Sequence, residues 1–151
     1  MSKIFFILAV VLGLTIVGCS KGEMLDSNPP SVYLQIDQEK YLTKLGTYCW
    51  KNKCADVKAP PTERLKGKEP IVVTPGEVIS LLMDYEPKPN EVYFAQYIDV
   101  ERKEVQLKDN RFNAPIHKGV YYYSYRVAWM DEEDKHLSHG DASYDFVIEV
   151  K

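Results

Sequence analysis

Basic excess, catalytic signatures and helical periodicity are all missing from this chain of 151 residues. Lys and Arg total 19 against 22 Asp and Glu, a formal net charge of −3, so there is no positive footprint for nucleic acid. A P-loop, a Gly-x-Ser-x-Gly elbow and a dinucleotide fingerprint do not occur. Only 3 histidines are present, and no spacing forces an acid–base pair together. The chain therefore reads as a non-enzyme with no cofactor. No amphipathic stretch of about ten or more residues exists to lie across a sheet. Internal repeats and long low-complexity tracts are also absent, and cysteine is scarce at 3 residues.

What is there points to strands. The chain is 45% hydrophobic, enough to bury a core, and carries 11 tyrosines against 5 phenylalanines. Tyrosine in that excess favours sheets with wet edges over a helical bundle.

The first residues read as an address. Met1-Ser2-Lys3 places one positive charge before an apolar run from Ile4 to Val17, which at 14 residues is too short for a comfortable membrane span. The run ends in Ile16-Val17-Gly18-Cys19, which resembles the bacterial lipobox. That resemblance implies a lipoprotein signal peptide over 1–18 and diacylglycerol, with palmitate-type chains, on Cys19. At least two acyl chains make a stable anchor, here on the extracytoplasmic face of the cell membrane. Ser20 to Pro30 is polar and aperiodic and ends in Asn28-Pro29-Pro30, so 19–30 reads as the lipidated Cys and a tether.

With Cys19 set aside, Cys49 and Cys54 remain, in Tyr48-Cys-Trp-Lys-Asn-Lys-Cys-Ala55. Outside the cytosol so close a pair is expected to form a disulfide, here clamping a hairpin that turns at Lys51-Asn52-Lys53. Four intervening residues in a strand-like context do not suit a redox site, and no second ligand pair suits zinc.

From Ser31 onward, short alternating runs are broken by turns every eight to twelve residues or so, the all-β pattern. Strands are expected over 31–36, 40–50, 70–73, 78–85, 91–99, 105–107, 119–130 and 142–150. Pro60 to Leu65 reads as one helical turn, capped by Thr62 and stopped by Gly67. Tyr121, Tyr123, Tyr125, Val127 and Trp129 share one strand face, as do Ala142, Tyr144, Phe146, Ile148 and Val150 on the next. With no helix to cover them, these stripes require sheet packed on sheet.

Lys118-Gly119-Val120-Tyr121-Tyr122-Tyr123 resembles the strand-F signature of immunoglobulin-like domains. Gly119 and Tyr121 match; His117 stands where Asp is usual, and Tyr123 where the intersheet Cys would be. By that resemblance Tyr121 is a tyrosine corner, with Gly119, Tyr121 and Trp129 as structural positions. The expected domain is 31–151: an immunoglobulin-like β-sandwich over 70–151, with 31–65 as an N-terminal disulfide-clamped hairpin extension. The whole chain is similar to small lipoproteins of Gram-positive bacteria, a likeness that implies no activity.

Two groups of residues are candidates for function. Asp131, Glu133, Asp134, His136, His139 and Asp141 are metal-ligand types crowded into one loop between the last two strands. Their spacing is not that of an EF-hand, and they are not on a helix; the alternative is a solvated loop that discourages edge pairing. The second group is aromatic. If Phe94 faces the core, Tyr93 and Tyr97 face out, beside Tyr122 and Arg126 on a neighbouring strand. Such a patch suits a glycan, peptide or protein, unless it is only a set of cross-strand pairs. The expected function is a membrane-anchored, non-catalytic interaction or envelope-accessory module with a protein or cell-envelope partner. The alternative is a ligand or metal-ion sensor using loop 131–141.

Overall fold

The computed structural model describes residues 26–151, so the signal segment, Cys19 and most of the expected tether lie outside the described residues. Alternation of apolar and polar residues builds two sheets. The smaller has the order β2 (Glu39–Leu42), β1 (Val32–Ile36), β6 (Val78–Met83), β9 (Arg111–Asn113). The larger, seven-stranded sheet runs β4 (Lys53–Ala55), β3 (Lys44–Trp50), β11 (Ser138–Val150), β10 (Gly119–Met130), β7 (Glu91–Ile98), β8 (Glu101–Glu104). A short β5 (Ile71–Val73) pairs in parallel with the end of β11; every other pairing is antiparallel. One helical turn, α1 (Pro61–Arg64), is the only helix among the described residues. None there is long and apolar enough to cross a membrane.

The two long strands pair Tyr123 with Phe146, Tyr125 with Tyr144 and Val127 with Ala142, so both expected stripes fall side by side on one face. Val32, Leu34, Ile36, Ile79, Leu81 and Phe112 meet them from the small sheet, all buried. Phe94 stacks on Tyr123 at 5.3 Å between ring centres, and Tyr123 on Phe146 at 5.3 Å. Each such buried side chain contributes about 1.5–3 kcal/mol before entropy is charged against it. Toward one end, Trp50, Tyr85 and Trp129 meet edge to face, with centres 4.9 to 5.7 Å apart. Burial pushes the Tyr125 phenol up to about 12, and raises Tyr123 and Tyr144 further.

Several expectations need correction. Residues 31–65 are not an added extension: β1 lies inside the small sheet between β2 and β6, and β3 pairs with β11 in the large one. The strand expected over 40–50 is two strands in different sheets. The chain changes sheet at Thr43, whose N–H and Oγ1 both donate to the Val32 carbonyl, at 3.0 and 2.7 Å. Strand pairing falls on 101–104 and 111–113 rather than 105–107, while Val105 and Leu107 pack half-buried against the core. Thr62 does not cap α1; its hydroxyl donates to the Asp99 carbonyl at 2.8 Å instead. The last residues of the expected tether belong to the body. Trp50 Nε1 donates to the Asp26 carbonyl at 3.0 Å, and Tyr144 Oη to that of Pro30 at 2.6 Å.

Cys49 and Cys54 are joined by a disulfide and sit directly opposite each other in the β3–β4 pair. Tyr121 Oη donates to the His117 carbonyl at 2.8 Å. Gly119 holds φ 156°, a backbone region open chiefly to glycine. Trp129 Nε1 donates to the Pro87 carbonyl at 2.6 Å.

Candidate functional site

One face of the large sheet closes the core; the other carries the site. Parity along the strands decides which side chains reach that outer face. Because Phe94 is buried in the core, Tyr93, Ala95 and Tyr97 of β7 point the other way. Register then sets Arg126 opposite Tyr93, Ser124 opposite Ala95 and Tyr122 opposite Tyr97, with Arg102 of β8 on the far side of Tyr97. Small residues in the middle row and long ones on either side make a saddle.

A wall crosses this face. After β4 the chain runs through 56–61 into α1, which is too short to bury an apolar stripe of its own. Polar contacts hold it. Arg64 forms an ion pair with Asp145 of β11; their side chains are 10% and 0% exposed. Lys44 Nζ donates to the Arg64 carbonyl at 2.9 Å, and the Val57 N–H donates to Thr47 Oγ1 at 3.1 Å. Gly46 makes the approach feasible, since a Cβ there would lie 2.4 Å from Arg64 Nη1 and 2.6 Å from Ser143 Oγ. Burial raises the Asp145 carboxyl above the ordinary carboxylate range, against a pull downward from Ser124, Arg64 and Lys44.

Between wall and sheet lies a groove of about 520 Å³. Ala95, Ser124, Ser143 and Thr47 line it together with Tyr93, Tyr97, Arg102 and Arg126. Lys58 and Pro60 come from the crossing segment, with Asp56 as the lining carboxylate and Val100 at the β7–β8 turn. Tyr93 Oη donates to Glu91 at 3.1 Å, which fixes where that ring lies. That hydrogen bond raises the Tyr93 phenol, while Arg126 and Arg102 both pull it down, so both cations act on the same hydroxyl. Arg126 sits 3.6 Å from Asp141; Arg102 has no ion pair among the described residues. Guanidinium donors and phenol rings over a small polar floor are what this groove offers chemically.

Three of the four expected patch residues, Tyr93, Tyr97 and Arg126, therefore line one groove. Tyr122 shares their face and lies opposite Tyr97, but it is not among the residues that line the groove. Sequence reasoning missed Arg102, the small floor residues and the wall. One signal was visible: Asp145 is an acid in the middle of the apolar run of β11.

Loop 131–139 is built differently. Asp131 Oδ1 accepts the Glu133 and Asp134 N–H groups at 2.8 and 2.9 Å, and Asp134 Oδ1 accepts that of His136 at 2.9 Å. The Asp134 and Glu133 amides hold the Asp131 carboxyl below its ordinary value, with a smaller push from His139. His139 Nε2 lies 3.1 Å from Asp131 Oδ2, while Asp141 faces Arg126 on the outer sheet face. The six expected ligands are thus divided between the loop's own turns and the groove rim. Among the described residues no three His, Cys, Asp or Glu side chains gather as a metal-holding group.

No protein-family model, curated protein or solved structure matches the chain.

Proposed function

We propose that this protein is a lipid-anchored, extracytoplasmic binding module, non-catalytic, which captures its ligand in the groove on the outer face of the large sheet. The groove is the observation that carries the reading: about 520 Å³ lies within the range of small-ligand sites, and Tyr93, Tyr97 and Arg126 line it. The anchor rests on Ile16-Val17-Gly18-Cys19. Six residues, 20–25, separate Cys19 from the packed Asp26, a reach of roughly 20–25 Å from the membrane. An immunoglobulin-like architecture is supported by the bond from Tyr121 to the His117 carbonyl, the tie a tyrosine corner makes.

The test is a photo-crosslinking amino acid at Val100, on the groove, compared with the same group at Val78 on the small sheet, in intact cells. Adducts from position 100 that disappear on Tyr97→Ala are the expected result. Equal adducts from the two positions, or none from either, refute the groove as the binding site. Loss of membrane fractionation and of palmitate labelling in Cys19→Ser tests the anchor separately.

A further inference from the structure

We infer that the groove binds an acidic sugar unit, its ring against Tyr93 or Tyr97 and its carboxylate or phosphate held by Arg102 and Arg126; this rests on the groove being a binding site.

Charge comes first. Lys58, Arg64, Arg102 and Arg126 line the groove against one lining carboxylate, Asp56, in a chain whose net charge is −3. Asp145 neutralises Arg64 deep in the wall, and Asp141 answers Arg126 at a long 3.6 Å from the rim. Arg102 and Lys58 remain on the lining against Asp56, with Glu104 opposite Ala95 and Glu91 bonded to Tyr93 just outside it. Positive charge concentrated in one concavity of an acidic protein draws anions there and repels them elsewhere. Guanidinium groups suit carboxylate and phosphate because their paired N–H donors match two oxygens at once.

Shape argues for a sugar rather than a peptide. The floor is the face of the sheet, where β7, β10 and β11 have already used their backbone groups in ladders with one another and with β8 and β3. An extended peptide laid there finds no backbone edge to pair with, the usual source of its affinity. Recognition has to come from side chains alone. Tyr93 and Tyr97 stand four residues apart on one strand face, about 13 Å, with Ala95 between them. Two rings across a floor of Ala95 and Ser124 leave room for a pyranose, whose apolar face packs on a phenol while its hydroxyls reach Ser124, Ser143 and Thr47.

Calorimetric titration of the full lipidated chain in detergent tests this with tetragalacturonate, galactose 6-phosphate, neutral galactotetraose and inorganic phosphate. The acidic sugars are expected to bind, the neutral one not, and inorganic phosphate at least tenfold more weakly than galactose 6-phosphate. Which acidic sugar binds tells carboxylate from phosphate. Arg102→Ala and Tyr97→Ala should each weaken binding about tenfold or more, with Arg102→Lys between, and Arg102→Ala should leave melting unchanged because Arg102 is exposed on an edge strand. Equal binding of the neutral sugar, indifferent to Arg102→Ala, overturns the acidic requirement and leaves the groove a binding site. Inorganic phosphate binding as well as its sugar ester overturns the sugar. Binding of no probe at millimolar concentration, with crosslinks still forming from Val100, overturns the acidic-sugar assignment alone. Loss of those crosslinks as well removes both readings.

Discussion

Replacing Arg64 by Ala tests whether the wall of the groove hangs on one buried ion pair. Asp145 has a fully buried side chain, and its cation, Arg64, is 10% exposed. Removing the cation leaves a carboxylate with Ser124 and Lys44 as its remaining help. Breaking a buried pair from one side costs about 3–5 kcal/mol, a fall in Tm of about 10–20 °C for a domain this size. The sign with pH separates this mechanism from simple loss of packing. Burial already raises the Asp145 carboxyl above its unfolded value, and without Arg64 it rises further. A raised carboxyl favours the fold most when protonated, below its unfolded value of about 4, and that advantage disappears as pH climbs through the folded value. The deficit of Arg64→Ala should therefore be small at pH 4 and large at pH 7. Urea melts at both pH values measure it. Asp145→Asn should cost less, because Arg64 reaches the surface and can turn toward water. Leu at both positions should come close to the parent in stability. Equal deficits at the two pH values, or a loss below about 1 kcal/mol at pH 7, would refute the reasoning.

Gly46→Ala should cost about 1–3 kcal/mol by driving a Cβ into Arg64 Nη1 and Ser143 Oγ, and less in the Arg64→Ala background, where only the Ser143 contact at 2.6 Å remains that close; a double-mutant cycle by urea melting reads the coupling. Reducing the Cys49–Cys54 disulfide closes no large loop, so the loss should be about 2 kcal/mol with cooperative unfolding intact, seen in melts with and without reductant. Tyr123, Tyr125 and Tyr144 have raised phenols, so their contribution is complete below about pH 10 and lost as pH rises through the folded values. Each should remove about 1.4 kcal/mol per pH unit in that window, and absorbance titration should show a tyrosine class that ionises only as the protein unfolds. A chain starting at Ser31 should be less stable than one starting at Asp26 by about 2–5 kcal/mol in urea, since Trp50 and Tyr144 lose their acceptors; equal midpoints would contradict that.

The core was legible because its signal is local. Tyr123, Tyr125 and Val127 on one strand and Tyr144, Phe146 and Ile148 on the next announce a buried face by period alone, and their pairing follows from adjacency. The crossing at Thr43 was not legible, because no Gly, Pro or turn pair marks it; a single side chain bonded to Val32 does the work of a turn. The strands at 101–104 and 111–113 are short, the first all charged and the second with one apolar residue, Phe112, so pairing rather than composition makes them strands. Parity from Phe94 placed Tyr93 and Tyr97 outside correctly. Parity gives a face but not the path a groove takes across it: Tyr122 lies opposite Tyr97 yet outside the lining.

The wall shows why a site of this kind escapes pattern reading. A polar sheet face attracts no amphipathic element, so whatever crosses it must be tied by specific pairs. Here a four-residue helix, with Pro61 and the neighbouring Leu65 as its buried apolar residues, is tied by Arg64 to Asp145. Those two residues are far apart in the chain, and each is unremarkable as a type. Only the mismatch of Asp145 with its apolar strand betrays the pair. An acid within such a strand has a higher desolvation cost than Asn or Val would, offset here by the cation it holds. What it fastens is the segment that turns an open sheet face into a groove, so the ion pair links the stability of the fold to the existence of the site.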